Sequence, residues 1–249
     1  MDIISSMQNP RIRAWRSLKL RQGREEQNAF LVEGFKSVQE ALQSSFQIRT
    51  LIIQNDLEDL DIPTLSQDLP VCKVPRHLLE AICDTKTPQG IAAVISLENR
   101  RVSGTRLLAL DGVQDPGNVG TILRTADAAG LDGLLLSSQC ADIYSPKVLR
   151  ASMGSIFHLP CEVTDDLPGR LQSLEIPLLA SRLEGEPFFA LLPSLPSAWC
   201  LIIGNEGNGI SPEVTAVSTY QVRLPMRGKA ESLNAAIAAG IMMYALTNR

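Results

Sequence analysis

Short apolar runs alternate with amphipathic stretches along the whole chain of 249 residues. The runs at 107–110 and 199–203 are apolar throughout, which predicts strands that are buried on both faces. Between such runs, apolar residues recur three or four positions apart, as at Val38, Ala41 and Leu42. That spacing predicts helices that pack on a sheet. The alternation is typical of an α/β fold with a largely parallel sheet.

A polar segment divides this alternation into two parts. Residues 98–106 are mostly polar and lose the apolar periodicity. We therefore expect a smaller α/β domain at residues 1–97, a linker at 98–106 and a second α/β domain at 107–249. In the second domain, the order strand, helix, strand over 107–137 predicts a right-handed parallel crossover.

Turn and cap residues set the expected bounds of the elements. Asn9 and Pro10 form a helix start, and Gly23 is a plausible stop. This first helix should turn Ile12, Trp15 and Leu18 inward. The other predicted helices are 76–83, 118–129, 146–155 and 231–246, and the predicted strands are 30–34, 50–53, 71–74, 91–96, 107–110, 134–137, 177–181, 199–203 and 220–224.

The composition fits a globular protein with a full, aliphatic core, since 45% of the residues are hydrophobic and only 4% aromatic. No apolar run reaches the roughly 18 residues of a membrane helix, and residues 1–8 do not resemble a signal peptide. A cytoplasmic protein without membrane contact is expected. The five cysteines include no C-x-x-C pair, so reduced thiols are expected. His77 and His158 lack metal-ligand spacing, so no metal is expected.

The beginning of the chain is basic although the net charge is −4. Residues 9–24 contain six Lys and Arg residues, including Arg11 and Arg13, and no acidic residue. Such a cluster creates a local positive face. A solvated helix face and a surface for RNA contact are both consistent with it.

Two glycine-containing loops follow buried strands near the end of the chain. Residues 204–209 read Gly-Asn-Glu-Gly-Asn-Gly, and residues 224–234 combine glycine with polar side chains. In open α/β sheets, ligands bind where such loops leave the carboxyl ends of the strands. A phosphate loop is disfavoured because no Gly-Lys-Ser/Thr ending is present. Turn formation by the glycines, and capping of the last helix by Glu231 or Ser232, are the structural alternatives.

A third segment, residues 111–127, contains polar residues at a predicted strand-to-helix junction. Asn118 can cap the helix, and Arg124 lies nearly two turns inside it. Helix geometry alone leaves open whether Arg124 forms a structural salt bridge or belongs to a site. No G-x-G-x-x-G follows a strand here, so neither a dinucleotide loop nor a class I methyltransferase loop is indicated.

These three segments, in this order, resemble the signature motifs of the SpoU-type, TrmH-like RNA 2′-O-ribose methyltransferases of the SPOUT class. The matching residues are 111–130, 202–211 and 224–239. Residues 6–10, 30–34 and 84–90 resemble that family's substrate-binding domain, which is similar to ribosomal protein L30e. The resemblance implies a C-terminal domain with a parallel sheet and a deep trefoil knot, and a homodimer formed through the knot region.

The resemblance also implies the cofactor and the site residues. S-adenosylmethionine would be held largely by backbone groups at Gly204, Leu224 and Leu233, with Ile203 and Met226 against the adenine. The family's catalytic positions match Asn118, Arg124, Glu206, Ser232 and Asn234. Lys147 and Arg150 lie in a further family-like segment and would contact RNA phosphates, together with Arg11 and Arg13.

The resemblance assigns Arg124 to activation of the ribose hydroxyl. A guanidinium stays protonated at neutral pH and is a poor base, so we hypothesise that Arg124 stabilises the developing alkoxide. Ser232 would form a hydrogen bond within its own segment. Ribosomal RNA is the expected substrate, by analogy with the two-domain layout. The alternatives are a tRNA 2′-O-methyltransferase, a base methyltransferase and an RNA-binding protein without catalysis.

Overall fold

The computed structural model describes residues 2–57 and 69–248. In chain order the elements are β1 (Asp2–Ile3), α1 (Pro10–Ser17), α2 (Arg21–Gln27), β2 (Ala29–Glu33), α3 (Phe35–Gln43), β3 (Ile48–Gln54), β4 (Val71–Val74), α4 (Arg76–Ile82), β5 (Ile91–Ser96), β6 (Arg106–Asp111), α5 (Pro116–Ala128), β7 (Gly133–Ser137), α6 (Pro146–Ser152), β8 (Cys161–Thr164), α7 (Leu167–Gln172), β9 (Leu178–Pro187), α8 (Phe188–Leu191), β10 (Trp199–Gly204), α9 (Pro212–Val217), β11 (Tyr220–Arg223) and α10 (Ala235–Thr247). Short 3₁₀ turns occupy Ser155–Phe157 and Leu192–Ser194. The predicted α/β alternation is confirmed, although the sequence pattern did not identify β1, β8, or α7 to α9.

The chain forms two compact units. The first contains Met1–Glu98 together with Tyr144–Phe157, and the second contains Asn99–Ile143 together with His158–Arg249. The sequence pattern had placed 144–157 in the second domain. Aromatic contacts explain the difference, because Tyr144 lies 4.5 Å from Phe30 between ring centroids and Phe157 lies 5.3 Å from Phe46. Contacts between residues so far apart in the chain leave no local pattern.

The first unit is built on a five-stranded mixed sheet with the order β1-β4-β3-β5-β2. The strand β5 pairs antiparallel with both β2 and β3, and all its residues are buried. As predicted, Asn9 caps α1, its side chain accepting a hydrogen bond from the Arg11 amide, and Ile12, Trp15 and Leu18 are buried.

The predicted helix stop at Gly23 is wrong. The helix α1 ends at Ser17, and Gly23 lies inside α2. A Cβ atom at position 23 would lie 2.2 Å from the carbonyl oxygen of Ser17. Glycine is therefore needed because two helical segments approach closely, and not because a helix ends there.

The second unit is built on a six-stranded sheet with the order β11-β9-β10-β6-β7-β8, and every described strand pair is parallel. The predicted parallel sheet is thus confirmed. The first strand of this sheet in chain order, β6, lies in its middle. The strands β7 and β8 follow on one side of β6, and β10, β9 and β11 lie on the other side. The strand order therefore reverses between β6 and β10, which is where open α/β sheets bind ligands.

The predicted cap Asn118 is wrong, and the structural alternative of a cap at Glu231 or Ser232 is not formed. The helix α5 begins at Pro116, and its N-cap is Asp115, whose side chain accepts a hydrogen bond from the Asn118 amide at 2.8 Å. The last helix begins at Ala235 and is capped by Asn234, not by Glu231 or Ser232. The first correction leaves the Asn118 side chain available for contacts outside its own helix.

The segment predicted as a linker is fixed to the second unit at Val102, which is buried. The Val102 amide donates to Glu162 Oε2 at 2.7 Å, and its carbonyl accepts from Arg170. Arg170 also binds Glu162 at 2.8 Å, and both side chains are only 12–13% exposed. Residues 99–105 therefore form an anchored part of the second unit.

Candidate active site at the ends of β6 and β10

The loops after β6 and β10 begin side by side. In the parallel ladder, Asp111 at the end of β6 is in register with Gly204 at the end of β10. The buried side chain of Asp111 accepts a hydrogen bond from the Ser211 amide at 2.7 Å, which holds the far end of the second loop. The sheet thus brings together two of the three segments that the sequence singled out.

Asn205 ties these two loops to each other. Its Nδ2 donates to the Gly112 carbonyl at 2.8 Å, while its Oδ1 accepts from the amides of Gly207 and Asn208 at 2.9 and 3.0 Å. Our sequence reasoning missed this role. The signal was present, because an asparagine at the head of a glycine-rich loop commonly binds its own backbone.

Gly204 is required by the loop itself. A Cβ atom at this position would lie 2.3 Å from the carbonyl carbon of Gly209, in a loop closed by two backbone hydrogen bonds of 2.9 Å between Asn205 and Gly209. Backbone atoms cannot move aside as a flexible side chain can. The glycine therefore permits the closed shape of the loop.

A chain of side-chain hydrogen bonds connects all three segments. Asn234 Nδ2 donates to Asn118 Oδ1 at 2.9 Å, and Asn118 Nδ2 donates to Glu206 Oε1 at 2.8 Å. The Asn234 Oδ1 also accepts from the Ala236 and Ile237 amides at the start of α10. One line of contacts thus fixes the start of α10, the first turn of α5 and the loop after β10.

The carboxyl group of Glu206 ends this line of contacts. Burial opposes its ionisation, but hydrogen bonds from the Asn118 side chain and from backbone amides, including that of Gln114, outweigh burial. The pKa of Glu206 consequently lies below its ordinary value. The site therefore holds a fixed negative charge at neutral pH.

Arg124 lies on the solvent-facing side of α5, with Ile122 and Leu123 buried behind it. Within residues 2–57 and 69–248, its side chain makes no hydrogen bond or ion pair. The structural salt bridge that remained possible from sequence is therefore not formed with any described residue. Arg124 is an exposed cation on the helix that carries Asn118.

The segment between β11 and α10 presents backbone groups rather than regular structure. No backbone amide from Leu224 to Leu233 forms a hydrogen bond with another residue that the structure describes. Leu224 and Met226 are half-buried, and Leu233 is exposed. An elongated ligand held by backbone groups would find donors and acceptors here, as the sequence resemblance implies for the cofactor.

Two predicted site residues are placed differently from their expected roles. Ile203 is the buried end of β10, with only 3% of its surface exposed, so it offers little side-chain surface to a ligand. Ser232 is exposed and, in the described part of the chain, lacks the expected hydrogen bond within its own segment. Neither Ile203 nor Ser232 forms a hydrogen bond with the side chains of Asn234, Asn118 or Glu206.

The predicted RNA-contacting residues all belong to the first unit. Arg11 and Arg13 lie on α1, and Lys147 and Arg150 lie on α6. Arg11 forms an ion pair with Asp2 at 2.7 Å and lies 5.0 Å from the centre of the Trp15 ring. Arg13 and Lys147 are exposed.

All five cysteines are free and buried, and burial raises the pKa of the Cys161 thiol to about 12. Such thiols are unreactive at neutral pH. Among the described residues, no helix has the length and apolarity needed to cross a membrane. The same residues include no group of three or more histidine, cysteine or acidic side chains that could hold a metal ion.

Comparison with known proteins agrees with this geometry. The sequence model of the SpoU rRNA Methylase family matches residues 105–244, and that of the MRM3-like substrate binding domain matches residues 9–93. The two matches together include the second-unit loops and most of the first unit. The fold and site thus define a methyltransferase of the SpoU type preceded by a substrate-binding domain.

Relatives are similar over nearly the whole chain. The 23S rRNA (guanosine(2553)-2′-O)-methyltransferase RlmP of Bacillus subtilis is 35% identical and is aligned over 99% of each chain. A 23S rRNA (uridine(2479)-2′-O)-methyltransferase of Streptomyces viridochromogenes is 30% identical over 95% of this chain and 88% of that protein. The AdoMet-bound rRNA methyltransferase of Sinorhizobium meliloti is 30% identical, with a TM-score of 0.86 over 99% of this chain and 97% of that one. The protein belongs to the SpoU rRNA methylase family, as its three motifs predict.

Proposed function

We propose that the protein transfers the methyl group of S-adenosylmethionine to a ribose 2′-hydroxyl of ribosomal RNA. The observation that supports this proposal is the line of hydrogen bonds Asn234–Asn118–Glu206 at the ends of β6 and β10. Its middle residue, Asn118, lies on α5, the helix that also presents Arg124. Relatives at 35% and 30% identity are named 23S rRNA 2′-O-methyltransferases. The large-subunit RNA is therefore the first substrate to test.

The cofactor fits the backbone-rich segment after β11. The unbonded amides of Leu224–Leu233, with the nearby apolar side chains of Met226 and Leu233, suit an adenosyl group, and Gly204 permits the closed shape of the loop after β10. When bound, S-adenosylmethionine supplies a methyl group activated by its sulfonium charge. We infer that these loops form a deep trefoil knot, supported by the packing of α10 against both α5 and β10.

The side chains of the chain act mainly by positioning. When the ribose oxygen attacks the sulfonium methyl, the positive charge on sulfur and the negative charge that develops on oxygen cancel. Alignment of the two groups and removal of the hydroxyl proton are therefore the main requirements. Asn118 and Asn234 hold the loops through their mutual hydrogen bond of 2.9 Å. Glu206, ionised at neutral pH, receives Asn118 on one oxygen and can accept a further donor from the RNA on the other.

Arg124 is suited to the oxygen that is being methylated. It stays protonated at neutral pH and has N–H donors not used within the described chain, so it can stabilise a developing alkoxide. The proton of the hydroxyl would leave to water or to an RNA phosphate. Ser232, exposed at the edge of the same segment, would bind substrate or cofactor rather than its own loop.

The first unit would select the RNA, with Arg11, Arg13, Lys147 and Arg150 offering positive charge.

We also infer a homodimer formed through the second unit. Ile237, Ile241 and Tyr244 are 40–54% exposed and recur at helical spacing along one face of α10. Replacement of Ile241 by Lys should then convert the dimer to a monomer in sedimentation experiments. We place the enzyme in the cytoplasm, with its RNA substrate.

The test is methylation of total RNA from a strain that lacks the protein. Purified protein and tritiated S-adenosylmethionine should label ribosomal RNA, and the labelled dinucleotide should resist alkaline cleavage because its 2′-oxygen is blocked. An alkali-sensitive labelled nucleotide would indicate base methylation. Label in tRNA alone would change the substrate, and no label in any RNA would favour a binding protein.

A further inference from the structure

The first unit contains a cleft that the proposed transfer reaction does not use. Its empty volume is about 480 Å³, including the solvent at its mouth. The walls are apolar and are formed by Leu18, Leu31, Leu149, Ile156 and Phe157.

Three segments that are far apart in the chain place charged groups in this cleft. Glu33 comes from the end of β2, Asp84 follows α4, and Arg150 lies on α6. Glu33 and Asp84 belong to the family-like segments 30–34 and 84–90, to which no residue role is assigned, and Arg150 is one of the residues expected to contact RNA. Lys19, which is half-buried, lines the same cleft.

Only one oxygen of the Glu33 carboxylate is held by backbone hydrogen bonds. Its Oε2 accepts hydrogen bonds from the amides of Asp84 and Thr85 at 3.1 and 3.4 Å, and its side chain is 13% exposed. Its Oε1 is buried and has no hydrogen-bond partner of normal geometry among the described residues, although the buried Cys83 thiol also lies beside this carboxylate. A buried acceptor without a donor is unfavourable, so this oxygen is suited to a donor from outside the chain.

Arg150 covers that oxygen without satisfying it. The Arg150 Nη1 lies 3.6 Å from Glu33 Oε1, too far for a hydrogen bond, and 2.6 Å from Asp84 Oδ2. The ion pair with Asp84 is weak, because its side chains are 43% and 40% exposed. A ligand can therefore displace the guanidinium from Oε1 while Arg150 keeps donors for the same ligand.

A carboxylate, a guanidinium and apolar walls in one cleft match the edge of one nucleobase. Guanine carries two adjacent N–H donors, N1–H and the N2 amino group, beside the acceptors O6 and N7. A carboxylate accepts from the donors, and arginine donates to the acceptors. Adenine would turn its N1 lone pair toward the carboxylate. Uracil offers a single N–H between two acceptors, and cytosine offers an amino group beside the acceptor N3.

We propose that this cleft binds the base of an unpaired guanosine in the RNA substrate, with Glu33 accepting from N1–H and N2 and Arg150 donating to O6. Unpaired bases are the parts of RNA that proteins read by sequence, because their edges are free of pairing. Lys19 lines the cleft as a second cation, available to the adjoining phosphate. The inference rests on the proposed function, since it takes RNA as the ligand.

The test measures binding of the full chain to short RNAs. Fluorescence anisotropy should show that the pentanucleotide UUGUU binds about tenfold more tightly than UUAUU, with UUIUU between them because inosine lacks the N2 amino group. Glu33→Gln should abolish the preference for guanine over adenine. The matched control is Glu25→Gln, since Glu25 is 60% exposed in a surface ion pair with Arg21 and is not part of the cleft.

Equal binding of the three RNAs by the unaltered protein, or an unchanged preference in Glu33→Gln, would overturn the proposal and leave the charges a purely structural role. Guanosine monophosphate is a second probe. If it binds at Glu33 as tightly as UUGUU does, the cleft is a site for a free nucleotide, and the RNA assignment is wrong.

A variant that fails to fold does not end the test. Irradiation of the unaltered protein with UUGUU containing 6-thioguanosine should cross-link to peptides that include residues 31–37 or 146–157, and cross-links confined to other peptides would contradict the proposal. Methylation of ribosomal RNA is measured in parallel. If the unaltered protein methylates ribosomal RNA but shows no preference for guanine, only this site is refuted, whereas no methylation by the unaltered protein refutes the proposed function.

Discussion

The second unit contains two polar networks that differ in charge and in burial. One is the line from Asn234 through Asn118 to Glu206, made mostly of uncharged amides and exposed at the ends of the strands. The other is the ion pair between Glu162 and Arg170, which is 12–13% exposed and encloses the backbone of Val102. The first orients loops around a reaction, and the second fixes a chain segment to the domain. Changes in the first should therefore alter activity more than stability, and changes in the second the reverse.

The largest effect is expected at Arg124. Replacement by Ala should lower single-turnover methylation by about 10²- to 10³-fold, because a donor to the reacting oxygen is lost. The melting temperature should stay unchanged, since Arg124 is exposed and has no partner among the described residues. Arg106→Ala, which removes another exposed arginine from the same unit, should retain activity.

A second replacement separates charge from geometry at this position. Arg124→Lys keeps the positive charge but loses the planar, forked arrangement of donors. We expect most of the activity to be lost, as measured by transfer from tritiated cofactor in a single turnover at neutral pH. Near-full methylation by Arg124→Lys would show that a simple positive charge suffices and that the orienting role is wrong.

The next largest effect concerns stability. Arg170→Met should lower the free energy of unfolding by about 3 kcal/mol, because it leaves the carboxylate of Glu162 mostly buried and unpaired. Thermal and denaturant unfolding measure this change, and cofactor binding should be retained. The double replacement Glu162→Met and Arg170→Met should be less destabilising than the two single changes added together.

The ion pair also has a pH signature. Burial opposes ionisation of Glu162, yet the hydrogen bonds from Arg170 and from the Val102 amide hold the pKa of Glu162 below its ordinary value. A group with a lowered pKa stabilises the fold above its ordinary pKa and loses that contribution as the pH falls. The penalty of Arg170→Met should therefore shrink in acid. The exposed pair of Arg21 and Glu25 is the control, because Arg21→Met should cost less than about 1 kcal/mol at any pH.

The contrast between these networks also shows how much the sequence could reveal. Strand–helix alternation and the glycine-rich loops predicted the parallel sheet and the position of the site, because both depend on local patterns. The helix caps were harder to predict from the sequence. Asp115 and Asn118 are each suitable caps three residues apart, and only the bond from Asn118 to Glu206, 88 residues away, shows which one faces the site. The contact of Glu162 with Val102 is equally non-local.

The same limit applies to residues 144–157. A helix was predicted there and is present at Pro146–Ser152, but its unit depends on Phe30 and Phe46, more than 90 positions earlier in the chain. The left-handed conformation of Met153, with φ of 53°, was also unexpected, and it ends the helix earlier than predicted. Local propensity gives the type of an element, while burial of distant aromatic side chains decides its place.

A smaller effect is expected at Asn118. Replacement by Ala removes both the bond to Glu206 and the bond from Asn234, so the three loops lose their common link. We expect turnover to fall about tenfold, which is the effect of roughly 1.4 kcal/mol at the transition state. Gln114→Ala is the matched control, because only the backbone of Gln114 contacts Glu206. Equal losses in the two variants would contradict a specific role for Asn118.

The smallest effect is the acid sensitivity of the Glu206 contact. Its lowered pKa means that the carboxylate stabilises the loops at neutral pH, and that this contribution disappears as the pH falls through the lowered value. Asn118→Ala should raise the pKa of Glu206, which an NMR titration of the Glu206 carboxyl carbon can measure. The difference in melting temperature between the unaltered protein and Asn118→Ala should therefore be larger at about pH 7 than below the ordinary glutamate pKa of about 4.3. A difference that does not depend on pH would show that Asn118 acts through its bond with Asn234. The negative charge of Glu206 would then not contribute to the stability of the exposed network.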